Sequence, residues 1–188
     1  MIWRVALVGM AATGKSTVAN EIAKRLKIRA VIASDLLRKL AKKEGFGGNN
    51  INWFGTPEGF ALLDMRKKNF KIDEDLDNLL IEILDEGNVI MTTRTMPWLY
   101  KNHPLISIYL KASLKVRTKR ISVRDGISLK QAGEVIQKRD SDYDLYKDIY
   151  GIDILNDTSP FQLVINTNNQ TQDQTINEVH KFLMSKNA

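Results

Sequence analysis

The chain has 188 residues, of which 43% are hydrophobic and 27% are charged. Both fractions are close to the average for globular proteins and exclude a collagen-like, low-complexity or wholly disordered chain. Cysteine is absent, which excludes a disulfide framework, a thiolate metal site and a thiol nucleophile. We therefore expect a single domain over residues 1–188, in a reducing, cytoplasmic setting.

Lysine and arginine outnumber the acidic residues by 28 to 22, which gives a net charge of +6. Such an excess favours anionic partners, either nucleic acid or phosphorylated small molecules. No apolar stretch approaches the roughly 18 residues that a membrane-spanning helix requires. We expect no membrane partner.

Five compact apolar runs predict buried strands, and segments with apolar residues at helical spacing separate them. The first such helical segment carries Val18, Ile22 and Leu26. Strands that alternate with helices favour an α/β protein with a parallel sheet and helices on both faces. The predicted strands lie at 2–8, 28–33, 88–92, 105–110 and 161–165.

A glycine-rich loop follows the first predicted strand and fits the pattern G-x-x-x-x-G-K-[ST]. Its backbone N–H groups and the start of the next helix can bind phosphates, Lys15 can reach the β- and γ-phosphates, and the Ser16 hydroxyl can bind Mg²⁺. The pattern predicts a nucleoside triphosphate site. Its predicted nucleotide-binding residues are Gly9, Ala11, Ala12, Thr13, Gly14, Lys15, Ser16 and Thr17.

An acidic residue and an arginine follow the second predicted strand. Asp35 would emerge at the carboxyl end of that strand, where ligands of open parallel sheets bind. We expect its carboxylate to hold the water shell of Mg²⁺ and Arg38, one helical turn later, to bind a second phosphate. A helix-capping role for Asp35 is the structural alternative.

Further arginines are expected at the same edge of the sheet. Arg94 ends the third predicted strand, Arg120 and Arg124 lie four apart on one helix face, and Arg139 follows. Several cations at one mouth would repel each other unless they surround a polyanion, and phosphoryl transfer requires such cations around the moving group. Individually, each could instead be a solvated surface charge.

With these residues, the chain resembles the nucleoside monophosphate kinases, and most closely the archaeal type of cytidylate kinase. The particular segments are Tyr146–Asp153, which contains YGID, and Leu163–Thr167, which reads LVINT. The resemblance covers most of the chain. It implies ATP as the phosphoryl donor, Mg²⁺, and a nucleoside monophosphate acceptor. We expect the protein to be a monomer.

The resemblance also implies roles for the arginines and for two mobile inserts. Arg38 and Arg94 correspond to residues that bind the acceptor phosphate, Arg120 and Arg124 to the pair at the nucleotide and lid boundary, and Arg139 to a lid arginine. The acceptor-binding insert would span about 35–82 and the lid about 124–150. Lys15, Arg94, Arg124 and Arg139 are the predicted catalytic residues.

Two segments depart from the family pattern. Thr92-Thr93-Arg94 stands where relatives often have Glu-Gly-Arg, and Asp142-Tyr143-Asp144-Leu145 stands where relatives carry more basic residues. These changes concern the identity of the acceptor more than the type of reaction. AMP, UMP or a non-nucleotide phosphate therefore remain alternative acceptors.

The predicted acceptor insert holds aromatic and acidic residues that admit two interpretations. Trp53, Phe54 and Phe60 could stack on the acceptor base, although packing within the insert is the simpler explanation. The helix dipole explains acids near residue 75, but we retain Asp77 as a substrate-binding candidate, because a carboxylate accepts from the cytosine amino group.

The leading hypothesis is phosphorylation of CMP or dCMP by ATP. A nucleotide-dependent module that contacts nucleic acid is a different class, prompted by the net positive charge. We expect no nucleic-acid partner, because the arginines cluster where a closed pocket is predicted and the sequence contains no recognised nucleic-acid module.

Overall fold

A computed structural model describes residues 2–47 and 53–186 of the chain. Within these residues, five strands form one sheet in the order β2-β3-β1-β4-β5, and every neighbouring pair is parallel. The predicted α/β class and all five predicted strands are confirmed. The strands are β1 (Arg4–Val8), β2 (Arg29–Ile32), β3 (Val89–Thr92), β4 (Ile106–Lys111) and β5 (Leu163–Asn166).

Nine α-helices accompany the sheet in the described part of the chain, together with a short 3-10 helix at Trp53–Gly55. The helices are α1 (Lys15–Leu26), α2 (Ala33–Lys43), α3 (Pro57–Arg66), α4 (Lys71–Glu86), α5 (Met96–Leu99), α6 (Leu114–Asp125), α7 (Leu129–Asp140), α8 (Tyr143–Tyr150) and α9 (Gln172–Ser185). None of them is both long and apolar enough to cross a lipid bilayer.

Alternation along the strands explains why both faces of the sheet are covered. Val5 and Leu7 of β1 face the same core as Ile90, and the apolar faces of α1 and α9 complete it. Val89 and Met91 point the opposite way, into a second core formed with α2 and α4. Because successive side chains of a strand alternate in direction, buried runs of this kind require helices on both sides.

The second core also contains the aromatic residue that sequence reasoning offered as a base-stacking candidate. The Trp53 side chain is buried, packs with Leu62, and donates from Nε1 to the Gly47 carbonyl over 3.1 Å. Packing within the protein is therefore confirmed for Trp53, and its proposed stacking role is wrong. The Phe54 side chain lies outside the described residues.

The carboxyl ends of the strands meet at one edge of the sheet. Because the central strand β1 lies between β3 and β4, the loop that follows β1 is flanked by the loops that follow those two strands. Thr92 links this edge to the next layer, since its hydroxyl accepts a hydrogen bond from the Ala33 N–H over 3.1 Å at the start of α2.

Candidate active site

All predicted site residues line one cavity of about 1230 Å³ at the carboxyl edge of the sheet. The phosphate loop forms its floor, and residues from α2, α4, α6 and α7 form its walls. The lining includes the predicted loop residues from Gly9 to Thr17 except Met10. It also includes Asp35, Arg38, Asp77, Arg94, Arg120, Arg124 and Arg139.

Three backbone torsions shape the phosphate loop. Gly9, Ala12 and Gly14 have φ values of 146°, 63° and 97°. A side chain at Gly9 would place its Cβ 2.1 Å from the carbonyl oxygen of Leu110, so only glycine fits beside β4. The Thr13 hydroxyl donates to the Met10 carbonyl over 3.0 Å and closes the loop from within.

Lys15 is the first residue of α1, and its ammonium lies inside the loop. Nζ donates to the carbonyl oxygens of Gly9 and Met10 over 2.5 and 2.8 Å. Burial, together with the nearby cations Arg139 and Arg94, lowers the pKa of Lys15 to about 7. This electrostatic environment favours an anion beside the ammonium, because an anion would restore the charged form of the lysine.

Arg120 links the phosphate loop to Thr167, the residue that follows β5, by hydrogen bonds. Its Nη1 donates to the Ala12 carbonyl over 3.1 Å and to the Thr167 hydroxyl over 3.0 Å, and its Nη2 donates to the Thr167 carbonyl over 2.7 Å. Arg124, one turn later on α6, is about half exposed and pairs with its neighbour Asp125. The two arginines therefore differ in their surroundings although they share a helix face.

Arg94 follows β3 and lies against two aromatic rings of α8. Its guanidinium carbon is 4.7 Å from the centre of the Tyr143 ring and 5.4 Å from that of Tyr146. Nη1 lies 3.5 Å from Oδ2 of the buried carboxylate of Asp142. Although burial opposes the charge, these neighbours raise the pKa of Arg94 above its ordinary value, so it is a permanent cation.

Two further arginines act on the cavity: Arg139 lines it, and Arg117 does not line it but lies near enough to Lys15 to help lower its pKa. Burial and the nearby Arg94 lower the pKa of Arg139 to about 10, which leaves it protonated at neutral pH. Arg117, which sequence reasoning did not select, is buried and donates to both carboxylate oxygens of Asp140 over 3.0 and 2.8 Å. Lys15, Arg94 and Arg139 therefore lie close enough to influence one another, as a polyanion site requires.

Asp35 and Arg38 form an ion pair with each other within the first turns of α2. Asp35 lies inside the helix and is not its capping residue, so the capping alternative is wrong. Among the described residues, no group of three or more histidine or acidic side chains could hold a metal ion. The exposed Ser16 hydroxyl still suits Mg²⁺, which is commonly bound by one or two protein groups together with phosphate oxygens and water.

Asp77 lies on the buried face of α4, and only 6% of its surface is exposed. Its Oδ1 accepts a hydrogen bond from the Thr95 hydroxyl over 2.6 Å. Oδ2 has no partner within ordinary hydrogen-bond distance among the described residues, although the Tyr150 hydroxyl lies near enough to the carboxylate to act on its pKa. Burial raises the pKa of Asp77 to about 6. Asp73, earlier on the same helix, was expected to interact with the helix dipole. In the structure it also forms a buried ion pair with Arg66.

Sequence reasoning missed a buried charged cluster behind the cavity. Arg66 of α3 contacts Asp73, Asp142 and Tyr146, and none of the four residues is more than 4% exposed. One signal was available: the buried face of α3 consists of Gly59, Leu62, Leu63 and Arg66. This spacing places Arg66 on the apolar face of an amphipathic helix, where a solvated arginine is not expected.

Comparison with known proteins identifies the family of the chain that carries this site. A family model described as cytidylate kinase-like matches residues 4–169. The chain belongs to the cytidylate kinase-like family. The match spans the phosphate loop, all the arginines of the cavity and the Tyr146–Asp153 segment, and it confirms the resemblance on which the site prediction depended.

Curated relatives of this family include archaeal cytidylate kinases. The chain is 35% identical over 179 residues to one from Saccharolobus islandicus, which covers 94% of this chain and 88% of the relative. It is 35% identical over 191 residues to one from Sulfurisphaera tokodaii, which covers 97% of this chain and 98% of the relative.

Solved structures with low sequence identity share the fold. An uncharacterized protein from Eubacterium ventriosum has a TM-score of 0.71 at 19% identity and covers 98% of this chain and 99% of its own. A shikimate kinase from Acinetobacter baumannii, solved with shikimate, has a TM-score of 0.59 at 15% identity and covers 99% of this chain and 95% of its own. These likenesses confirm the P-loop kinase fold.

Proposed function

We propose that the protein is an ATP-dependent nucleoside monophosphate kinase whose acceptor is CMP or dCMP. One observation carries the proposal: a cavity of about 1230 Å³ joins a phosphate loop to arginines from several segments in a chain of the cytidylate kinase-like family. Sites for one small ligand typically enclose roughly 300–1000 Å³. The larger cavity suits two nucleotides, and relatives named as cytidylate kinases support the acceptor.

The donor half of the site is the phosphate loop with the start of α1. Its backbone N–H groups would bind the phosphates of ATP, and Lys15 would exchange the carbonyls of Gly9 and Met10 for phosphate oxygens. Ser16 would hold Mg²⁺, and Asp35 would order its water shell. Bound there, Mg²⁺ would neutralise charge on the β- and γ-phosphates.

Cations from opposite sides of the cavity would stabilise the transferring phosphoryl group. Lys15 enters from the loop, Arg94 from the end of β3, and Arg124 and Arg139 from α6 and α7. Preorganised charges of this kind lower the barrier because they need no reorganisation during the reaction. No general base is required, since an attacking phosphate oxygen is already anionic near neutral pH.

The acceptor would bind between α2 and α4. Arg38 and Arg94 would hold its phosphate, and Asp77 would accept a hydrogen bond from the amino group of the base. Oδ2 of Asp77 supports this role, because it has no donor within ordinary hydrogen-bond distance among the described residues, and a buried carboxylate oxygen without a close donor is costly until a ligand supplies one. The nearby Tyr150 hydroxyl offsets this cost only in part, since the pKa of Asp77 is still raised. Uridine offers a carbonyl in place of that amino group, so the contact would favour cytidine.

A coupled assay of ADP release, run with ATP against CMP, dCMP, UMP and AMP, tests the proposal. We expect CMP or dCMP to give the highest kcat/KM. Asp77→Asn, whose side chain can still accept a hydrogen bond from Thr95, should lower the ratio of kcat/KM for CMP to kcat/KM for UMP by at least about tenfold. This is the range of discrimination that one good base contact provides. Asp75→Asn, an exposed change on the same helix, is the matched control.

Two outcomes would overturn parts of this proposal. A higher kcat/KM for AMP, UMP or a non-nucleotide phosphate would replace the acceptor but keep the reaction. ATP turnover that needs single-stranded or duplex nucleic acid, with no monophosphate phosphorylated, would replace the kinase with a nucleic-acid module. The predicted monomer stays a prediction, and light scattering of the purified protein checks it.

A further inference from the structure

Arg66 is enclosed by acceptors on three sides. Its Nε donates to Asp73 Oδ2 over 2.9 Å, its Nη1 to Asp142 Oδ2 over 2.6 Å, and its Nη2 to the Tyr146 hydroxyl over 2.9 Å. The Arg66 side chain is 1% exposed and that of Asp142 is 0% exposed. Two of these partners come from α8 and the residue before it, which lie within the predicted lid, whereas Arg66 lies within the predicted acceptor insert.

Two acceptor atoms of this cluster also face Arg94, at longer range. Arg94 Nη1 lies 3.5 Å from Asp142 Oδ2 and 3.4 Å from the Tyr146 hydroxyl, the same two oxygens that Arg66 contacts at 2.6 and 2.9 Å. Hydrogen bonds to charged groups are strongest at about 2.7–2.9 Å and weaken beyond that distance. Arg66 therefore holds both oxygens, and Arg94 contacts them only weakly.

We propose that Arg66 is a positioning residue that keeps Arg94 available for a substrate phosphate. By occupying Asp142 and Tyr146, Arg66 prevents the buried carboxylate from drawing the Arg94 guanidinium out of the cavity into a close pair. Arg94 then rests on the rings of Tyr143 and Tyr146, which attract its charge without using its N–H donors. The proposal depends on the kinase function proposed above.

The charges around Asp142 explain why Arg66 would be required. Among the described residues, Asp142 Oδ1 has no hydrogen-bond partner, Arg66 and Arg94 form ion pairs with Oδ2, and the Arg139 guanidinium also interacts electrostatically with this carboxylate. Without Arg66, a fully buried carboxylate would lose its shortest ion pair, and Arg94 already lies 3.5 Å from its Oδ2. Such a carboxylate is very unfavourable unless it is paired, so Arg94 would move onto it and lose its orientation toward the cavity.

Two double variants separate this role from simple support of the fold. Arg66→Gln should lower kcat for the best acceptor by at least about tenfold, because a misplaced Arg94 would stabilise the transition state less well. Adding Asp142→Asn removes the carboxylate that would draw Arg94 away, so kcat should return to within about threefold of wild type. Adding Asp73→Asn instead removes the other unpaired carboxylate but leaves Asp142, so stability should improve while kcat stays low.

The outcomes are distinct for each hypothesis. If Arg66 only supports the fold, kcat should change in parallel with the melting temperature. Both double variants should then regain kcat together or lose it together, and that result overturns the proposal. Should Arg66→Gln fail to fold, the comparison of the two double variants carries the test. Asp142→Asn alone should keep kcat within about threefold of wild type, and a larger loss overturns the proposal. An inactive wild-type protein would instead refute the kinase function.

Discussion

Lys15 and Tyr143 donate hydrogen bonds to the same backbone oxygen, the carbonyl of Gly9, over 2.5 and 3.2 Å. The tyrosine comes from α8, so that helix contacts the phosphate loop directly. We expect the Lys15 ammonium to leave this oxygen when a nucleotide binds, and the tyrosine to remain as its donor. Gly9 would then keep one partner in both states, which avoids leaving a buried carbonyl without a donor.

Substitutions of Tyr143 should separate its hydroxyl from its ring. Tyr143→Phe removes one hydrogen bond and should lower the free energy of unfolding by about 1 kcal/mol while kcat changes little. Tyr143→Leu also removes the ring under Arg94 and should lower kcat/KM by about tenfold, since a desolvated cation–π contact contributes up to about 2 kcal/mol. Thermal unfolding and steady-state kinetics measure the two effects. Equal kinetic losses in both variants would contradict the role of the ring.

Nucleotide binding should take up a proton at Lys15. The pKa of this ammonium is lowered to about 7 by burial and by the neighbouring arginines, and phosphate oxygens beside it should raise that pKa again. Above pH 7, the free lysine is increasingly neutral and the bound one stays charged, so ATP affinity should fall as the pH rises. Calorimetry in two buffers of different ionisation enthalpy should show uptake of about one proton near pH 8.

The control for this uptake is Lys15→Ala. The variant should fold and bind ATP without the proton, and it should lose at least about a hundredfold in turnover, the effect of removing one preorganised charge. Uptake that persists in the folded variant would place the titrating group elsewhere. Near-normal turnover would refute the role of Lys15 in the donor site.

Much of the fold follows from local sequence. Buried runs such as Ala6–Val8 are apolar enough to require helices on both faces of the sheet. The phosphate loop is a motif of eight consecutive residues, so it can be recognised directly in the sequence. The resemblance then brought Arg38, Arg94, Arg120, Arg124 and Arg139 to the cavity that the structure shows. The structure shows that these side chains line one cavity, and their individual roles there stay predictions.

The pairing of Arg66 with Asp142 could not be predicted in the same way. The two residues are separated by 76 positions, and their contact depends on how α3 packs against the start of α8. Arg66 also stands next to Lys67 and Lys68, a run that is typical of a solvated face. Only the apolar spacing of α3 indicated otherwise, and that helix was not recognised from the sequence.

Arg120 and Arg124 should differ in their effects on stability. Arg120→Ala removes one hydrogen bond to Ala12 of the phosphate loop and two to Thr167, and it should lower the free energy of unfolding by about 2 kcal/mol. The Arg124 side chain is about half exposed and forms an ion pair with its neighbour Asp125. Arg124→Ala should therefore change the free energy of unfolding by no more than about 0.5 kcal/mol. Both should weaken ATP binding or turnover. Thermal unfolding checks the difference, and equal melting temperatures would contradict it.

Arg38 should act on the acceptor and not on ATP. Arg38→Met should raise the KM for CMP far more than that for ATP, because the side chain belongs to the α2 wall of the cavity, where the acceptor phosphate is proposed to bind. Lys39→Met changes an exposed cation at the next position and serves as the control. Steady-state titration of each substrate against both variants measures the division. A similar rise in both KM values for Arg38→Met would refute it.

Asp77 should make the stability of the protein depend on pH in a direction opposite to that of most carboxylates. Burial, against the opposing effects of the Thr95 and Tyr150 hydroxyls, raises its pKa from 3.8 to about 6, with Asp73 adding to the rise and Arg66 reducing it. The folded state therefore holds the proton more tightly than the unfolded state does. The contribution of Asp77 is most favourable below pH 4 and is lost as the pH rises to about 6.

Asp77→Asn should consequently stabilise the protein without substrate at neutral pH. The difference of about two pKa units corresponds to roughly 3 kcal/mol at most, and the introduced amide could retain the bond from Thr95. The gain should shrink as the pH falls through 6 and vanish near 4, whereas Asp75→Asn should show no such trend. Denaturant unfolding across this pH range measures both variants. A gain that does not change with pH would show that the carboxylate is not held above its ordinary pKa, and that its buried oxygen is already satisfied without a substrate.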